Sequence, residues 1–168
     1  MRKLLLITCF LLQACTMAPS GLQTIETLDA QRYMGTWYEI ARLDHSFERN
    51  LQQVTAEYSL RDDGGIKVIN KGFNAEKKEW KEAEGRAYFR EDKPNGKIKV
   101  SFFWPFYGGY NIVELDNEYQ HVLIIGPDSS YAWILSRQPN MPAATYEALV
   151  SKAENLGVAE QGWIKVVQ

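Results

Sequence analysis

Through the middle of the chain, apolar side chains fall on every second position. Val54, Ala56, Tyr58 and Leu60 alternate with Thr55, Glu57 and Ser59; Ala83, Gly85, Ala87 and Phe89 alternate with Glu82, Glu84, Arg86 and Tyr88. Ile98, Val100, Phe102 and Trp104 alternate in the same way with Lys97, Lys99, Ser101 and Phe103. A period of two puts neighbouring side chains on opposite faces of a strand. The segments are divided by turn signals such as Asp62-Asp63-Gly64-Gly65, Pro94-Asn95-Gly96 and Asp116-Asn117, where a hairpin reversal is favoured. The pattern predicts an all-β domain with eight antiparallel strands, over residues 37–43, 54–60, 66–73, 80–89, 98–104, 110–115, 121–125 and 131–137, arranged as a barrel or a sandwich. After Pro139 the period becomes helical. Tyr146, Leu149, Val150, Ala153 and Leu156 share one face between Pro142 and Gly157, which predicts one amphipathic helix of about four turns. A short last strand is expected over 163–167.

The start of the chain follows a different rule. Met1-Arg2-Lys3 is basic, an apolar run follows to Leu12, and the sequence then reads Leu12-Gln13-Ala14-Cys15. The run is too short to span a bilayer and has the layout of an export signal. It resembles a bacterial lipoprotein signal, which implies cleavage before Cys15 and lipidation of that cysteine; Thr16 in the next position implies the outer membrane. A plain secretory signal with an incidental cysteine is the alternative. The division expected is a signal peptide over 1–14, a lipidated and flexible tether over 15–27, and one domain over 28–168.

Composition narrows the chemistry. The chain has 19 basic and 21 acidic side chains, and loss of Arg2 and Lys3 with the signal makes it more acidic, so a nucleic-acid partner is not expected. Cys9 leaves with the signal and Cys15 then has no partner, so the fold has to rest on its core without a disulfide. His45 and His121 fall at opposite ends of the proposed strand arrangement, and no metal-ligand spacing occurs, so neither a metal nor a cofactor is predicted. Gly108-Gly109 is followed by an aromatic strand, and Ser136-Arg137 has no histidine placed beside it; no catalytic residue is assigned and the chain is read as a non-enzyme.

Gly35-Thr36-Trp37 resembles the G-x-W signature of the lipocalins, and Tyr38-Glu39-Ile40-Ala41-Arg42 resembles their bacterial outer-membrane branch. Asp116 and Tyr119 stand in the sixth turn and Arg137 ends the eighth strand, where that family carries its second and third motifs. The resemblance implies an eight-stranded antiparallel up-and-down barrel with a C-terminal helix. Gly35, Trp37, Asp116, Tyr119 and Arg137 would build its closed end, with the guanidinium laid over the indole. Alternating strand direction then puts the mouth at residues 44–53, 74–79, 104–109 and 126–130.

An eight-stranded barrel either fills with its own side chains or leaves room for one small ligand. Small and apolar positions on the expected inward faces and at the mouth are the candidate ligand contacts: Ala41, Val54, Ala56, Tyr58, Val68, Gly85, Ala87, Phe102, Trp104, Tyr107 and Trp133. Burial of a sixteen-carbon chain gains on the order of 10 kcal/mol before ordering costs. Phe47 and Leu51 are lid candidates on the long first loop. Glu39 shares the parity of Trp37, as a structural carboxylate or, less favoured, a ligand handle. The resemblance implies fatty acids or lysophospholipids as ligands, attachment to the outer membrane through Cys15 with the barrel in the periplasm, and a homodimer through the open end. The competing readings are a structural envelope lipoprotein with a filled barrel and a protein-docking aromatic rim, and a lipocalin-type enzyme.

Overall fold

A computed structural model describes residues 17–159 and 162–168; the signal peptide and Cys15 lie outside the described residues. A short helix, α1 (Ala30–Tyr33), is capped by Asp29, whose carboxylate accepts from Arg32 N at 3.1 Å. It leads into eight strands: β1 (Gly35–Leu43), β2 (Leu51–Leu60), β3 (Ile66–Asn74), β4 (Glu79–Phe89), β5 (Lys97–Phe103), β6 (Phe106–Leu115), β7 (His121–Ile125) and β8 (Ala132–Ser136). Each pairs antiparallel with the next, and β1 pairs with both β2 and β8, so the sheet closes into a barrel. Helix α2 (Ala143–Asn155) packs outside the barrel on Leu149 and Ala153, and β9 (Trp163–Lys165) adds to β1.

β1 pairs with β2 only from Gly35 to Tyr38, and β9 joins it from Ala41 to Leu43. The C-terminal segment continues into the gap. Gln53 N donates to Val167 O at 2.6 Å, and the Gln168 side-chain amide donates to Glu39 O and Val54 O at 2.6 and 3.0 Å. The chain end thus supplies backbone partners that the parting strands would otherwise lack.

One end is sealed by a single guanidinium. Arg137 lies 3.9 Å from the centre of the Trp37 ring. Its nitrogens donate to Arg32 O at 2.7 Å, Thr36 O at 2.9 Å and Tyr119 O at 3.3 Å, which ties α1, β1 and the β6–β7 turn together. The Trp37 indole N–H donates to Tyr33 O at 2.9 Å, and the Tyr119 hydroxyl accepts from Asp29 N at 2.9 Å. Asp116 accepts from the backbone of Glu118 and Gln120 and so shapes the turn that presents Tyr119. Gly35 has φ +90°, and a Cβ there would sit 3.4 Å from Arg137 Nη1. The distance is ordinary contact, so it is the left-handed backbone that calls for glycine two residues before the largest side chain.

Three expectations change. The tether is held against the barrel, not flexible: Ile25 N donates to Ile112 O, Leu28 N donates to Pro94 O, and the buried Asn111 amide donates to Met17 O at 2.9 Å. Leu22 and Ile25 add apolar contacts. Gly108 and Gly109, expected in the mouth loop ahead of residue 110, belong to a strand. They lie inside β6, where a Cβ on Gly109 would overlap the Met17 carbonyl, so the glycine makes room for the tether. The predicted mouth loop over 104–109 shrinks to the turn between Phe103 and Phe106, and the first loop ends at β2 with Leu51.

Arg137→Ala removes the ring contact and three charge-assisted bonds, and should cost about 2–4 kcal/mol. Arg137→Lys should recover only part, because an ammonium cannot fork to three carbonyls while lying flat on an indole. Urea midpoints of the two variants check this; equal midpoints would show that the planar fork contributes nothing.

Candidate functional site

Above the Trp37 seal the barrel is hollow. A cavity of about 650 Å³ runs from Tyr33 and Tyr58 up to Phe47, Phe103 and Phe106, a size common for small-molecule sites. Its lower wall is Ile66, Ile98, Ile124 and Leu135, and its middle is Val54, Ala56, Val68, Ala87 and Val100. The alternating pattern accounts for this wall: on β2 and β3 every second side chain faces inward, and their ladder pairs Tyr58 with Val68.

The structure brings Val54, Ala56, Tyr58, Val68, Ala87, Phe102 and Trp133 to the cavity surface. Three other expected positions differ. Ala41 faces outward into the cluster beneath α2, fully buried with Leu149 and Ala153. The cause is a bulge: between Glu39 and Ala41 the β1–β8 register takes two steps on β1 for one on β8, so Glu39 pairs with Leu135 and Ala41 with Ile134. One extra residue reverses the parity beyond it. Gly85 is roofed by Phe102, whose ring would lie 2.8 Å from an added Cβ, and so does not reach the cavity surface. Trp104 is 76% exposed at the hairpin tip, away from the lining. Tyr107, expected at the cavity or its mouth, lines the rim, where its ring packs against Tyr88 at 6.3 Å with Lys99 Nζ 5.1 Å above it.

The bulge also turns Arg42 inward, opposite Trp133, and a buried polar group forms there. Arg42 donates to Glu39 Oε1 at 2.7 Å and to Glu48 O at 2.8 Å. The Trp133 indole N–H donates to Glu48 Oε2 at 3.0 Å. His45 Nε2 also lies 3.0 Å from Glu48 Oε2, though off the line a hydrogen bond requires. His45 is surrounded by Phe47, Tyr131 and Trp133, with ring centres at 3.9, 5.8 and 5.2 Å. The loop between β1 and β2 is therefore folded over the mouth with Glu48 pointing in. Burial, and then the Glu48 charge, push the Glu39 carboxyl up to about 8, against the pull of Arg42. Burial thus favours the protonated form of Glu39 in spite of its bond to Arg42.

Sequence parity placed Glu39 inward but gave no hint of Glu48, Tyr33 or Tyr110 as lining groups. Tyr33 precedes the first strand, and Glu48 sits in a loop with no period. Tyr110 shares a face of β6 with Ile112, but its place in the lining depends on strand register, which parity alone does not fix.

A closed antiparallel barrel with a plugged floor and an open apolar calyx defines a binding protein for a small hydrophobic molecule. Residues 28–168 match the lipocalin-like domain, and the chain belongs to the lipocalin family. It is 51% identical over 160 residues to the outer membrane lipoprotein Blc of Citrobacter freundii, covering 93% of this chain and 90% of that protein. It is 46% identical to the protein of the same name from Vibrio cholerae, covering 100% and 99%. Among solved structures, the cockroach allergen Per a 4 superposes with a TM-score of 0.70 at 19% identity, covering 91% of this chain and 96% of the allergen; this similarity concerns the fold alone.

The Glu39 site sets a pH dependence. The unfolded carboxyl ionises near 4.5 and the folded one near 8, so the folded state holds the extra proton between those values. The stability contributed here is fully present below about pH 4.5, falls as the pH rises toward 8, and is level above it. Glu39→Gln should flatten that decline. Urea midpoints at about pH 5, 7 and 9 measure it, and equal slopes for the two proteins would detach the effect from Glu39.

Proposed function

We propose that this lipocalin is attached to the outer membrane through a lipid on Cys15 and takes up single-chain lipids, fatty acids or lysophospholipids, in its calyx, for storage or transport during envelope maintenance or stress. The observation that carries the reading is the open cavity of about 650 Å³ with an almost wholly aliphatic and aromatic wall. At about 0.8 kcal/mol per buried methylene, such a wall selects a long hydrocarbon without any special group. The names of the relatives from Citrobacter freundii and Vibrio cholerae support the location. The relatives are named lipoproteins and not enzymes, which supports reading the protein as a binder. The volume argues against the filled scaffold.

The tether adds a physical reason for placing the mouth at the membrane. Met17 is pinned beside Gly109 near the mouth end of β6, and two residues of chain span at most about 7 Å. The tip at that end exposes Phe103, Trp104 and Phe106 at 83%, 76% and 72%, and an anchor on the short segment before Met17 would keep this tip near the bilayer. Aromatic side chains favour that interface, and a lipid would pass from bilayer to calyx without crossing water. A homodimer through the same tip is the alternative cover for these rings.

Native mass spectrometry of delipidated protein with added palmitic acid or palmitoyl lysophosphatidylcholine should give a one-to-one adduct; no adduct with either would sink the reading. Trp133→Glu puts a second charge beside Glu48 and should weaken uptake at least tenfold while the barrel stays folded by circular dichroism. Phe103→Ser with Trp104→Ser should reduce binding of unlipidated protein to phospholipid vesicles; unchanged binding, with loss of a dimer instead, would assign the tip to a second copy.

A further inference from the structure

Toward the mouth, two pairs of neighbouring strands part. The gap between β1 and β2 is filled by the C-terminal segment. β4 and β5 pair only through Arg86–Phe89 with Ile98–Ser101, so Glu79 to Gly85 have no ladder partner on that side. Among the described residues no other segment hydrogen-bonds to that free edge. Burial along β4 reports the same opening. Ala83 shares the inward parity of Gly85 and Ala87, yet it is exposed while both of those are buried, and an inward position that meets solvent marks a break in the wall.

Both banks of this gap line the calyx: Lys81, Glu82 and Ala83 on β4, and Phe102, Phe103 and Tyr107 across from them. The banks differ in kind. One is an open strand edge whose charges, on Lys81, Glu82 and Glu84, discourage a further strand from pairing there. The other is aromatic. The way in from above is covered, because the loop over 44–50 lies across the mouth, held by Arg42 through Glu48 O and by the Trp133 indole through the Glu48 carboxylate. Passage beneath that loop requires breaking buried hydrogen bonds, which is costly. Passage between β4 and β5 breaks no ladder bond, since the edge has none on that side.

We infer that the parting of β4 and β5 is a side portal, through which a hydrocarbon chain enters and leaves the calyx while the loop over the mouth stays in place. Phe102 and Phe103 give the chain an apolar surface to slide along, and the gap opens next to the aromatic tip at Phe103, Trp104 and Phe106. The inference rests on the lipid-binding reading above and adds to it the route by which the cavity is filled.

Glu84→Cys with Phe103→Cys, made in protein that lacks the signal and Cys15 and so has no other cysteine, allows the two banks to be joined by a short bis-maleimide. Stopped-flow mixing with the fluorescent fatty acid cis-parinaric acid then compares joined with unjoined protein. Closing a route slows entry and exit together, so the association and dissociation rates should each fall about tenfold or more while Kd stays within about twofold. Unchanged rates in the joined protein would overturn the inference. A weaker Kd with unchanged association would overturn it too, because the link would then deform the calyx without blocking its entrance. Ala83→Trp, which sets a ring in the gap, should slow both rates in the same sense and gives an independent variant should the linker fail to join the banks. Binding at unaltered rates sinks the portal alone, whereas no binding to the wild-type protein sinks the lipid-binding reading with it.

Discussion

A barrel with two open ends would be a pore for water, and the contact between the Arg137 guanidinium and the Trp37 indole is what prevents that. The guanidinium does two tasks that are seldom combined. Its face covers the aromatic plug, while its edge hydrogen-bonds to carbonyls from three separate stretches of chain. Because the plug is fixed from below, the side chains above it need not meet across the axis, and small residues such as Ala56 and Ala87 leave volume unfilled. Gly35 belongs to the same device, since the backbone that delivers Trp37 takes a left-handed conformation there.

Keeping a hollow centre has a cost in packing, and the molecule offsets it outside the barrel. Ala41, Leu123, Ile125, Ala132 and Ile134 form a second core beneath Leu149 and Ala153 of α2, where close packing is unconstrained by ligand. The tether and the C-terminal segment complete the wall from opposite ends of the chain, one bonded to Asn111 and Ile112, the other filling the gap between β1 and β2. Both are held because they satisfy barrel backbone and amide groups that would otherwise be unpaired.

The calyx is also less uniform than an oily tube. Glu39, Glu48 and Arg42 share its side wall near the loop, and three tyrosine hydroxyls share its floor. The apolar character of the wall comes from many positions, and its polar character from these few.

The sequence by itself determined the number of strands, the helix that follows them, the closed end and most of the inward wall, because strand parity and turn chemistry are local and the G-x-W, Asp116, Tyr119 and Arg137 positions carry a specific resemblance. Tertiary structure alone decided the outward turn of Ala41, the roofing of Gly85 by Phe102, the exposure of Trp104 and the pinning of the tether. Each of these depends on register or on contacts between distant segments. A period of two holds only until a bulge shifts it, and nothing local to residues 39–41 announces that two residues of β1 will face one of β8. Likewise Gly109 reads as part of a mouth loop until the Met17 carbonyl, far away in the chain, is seen to need the space.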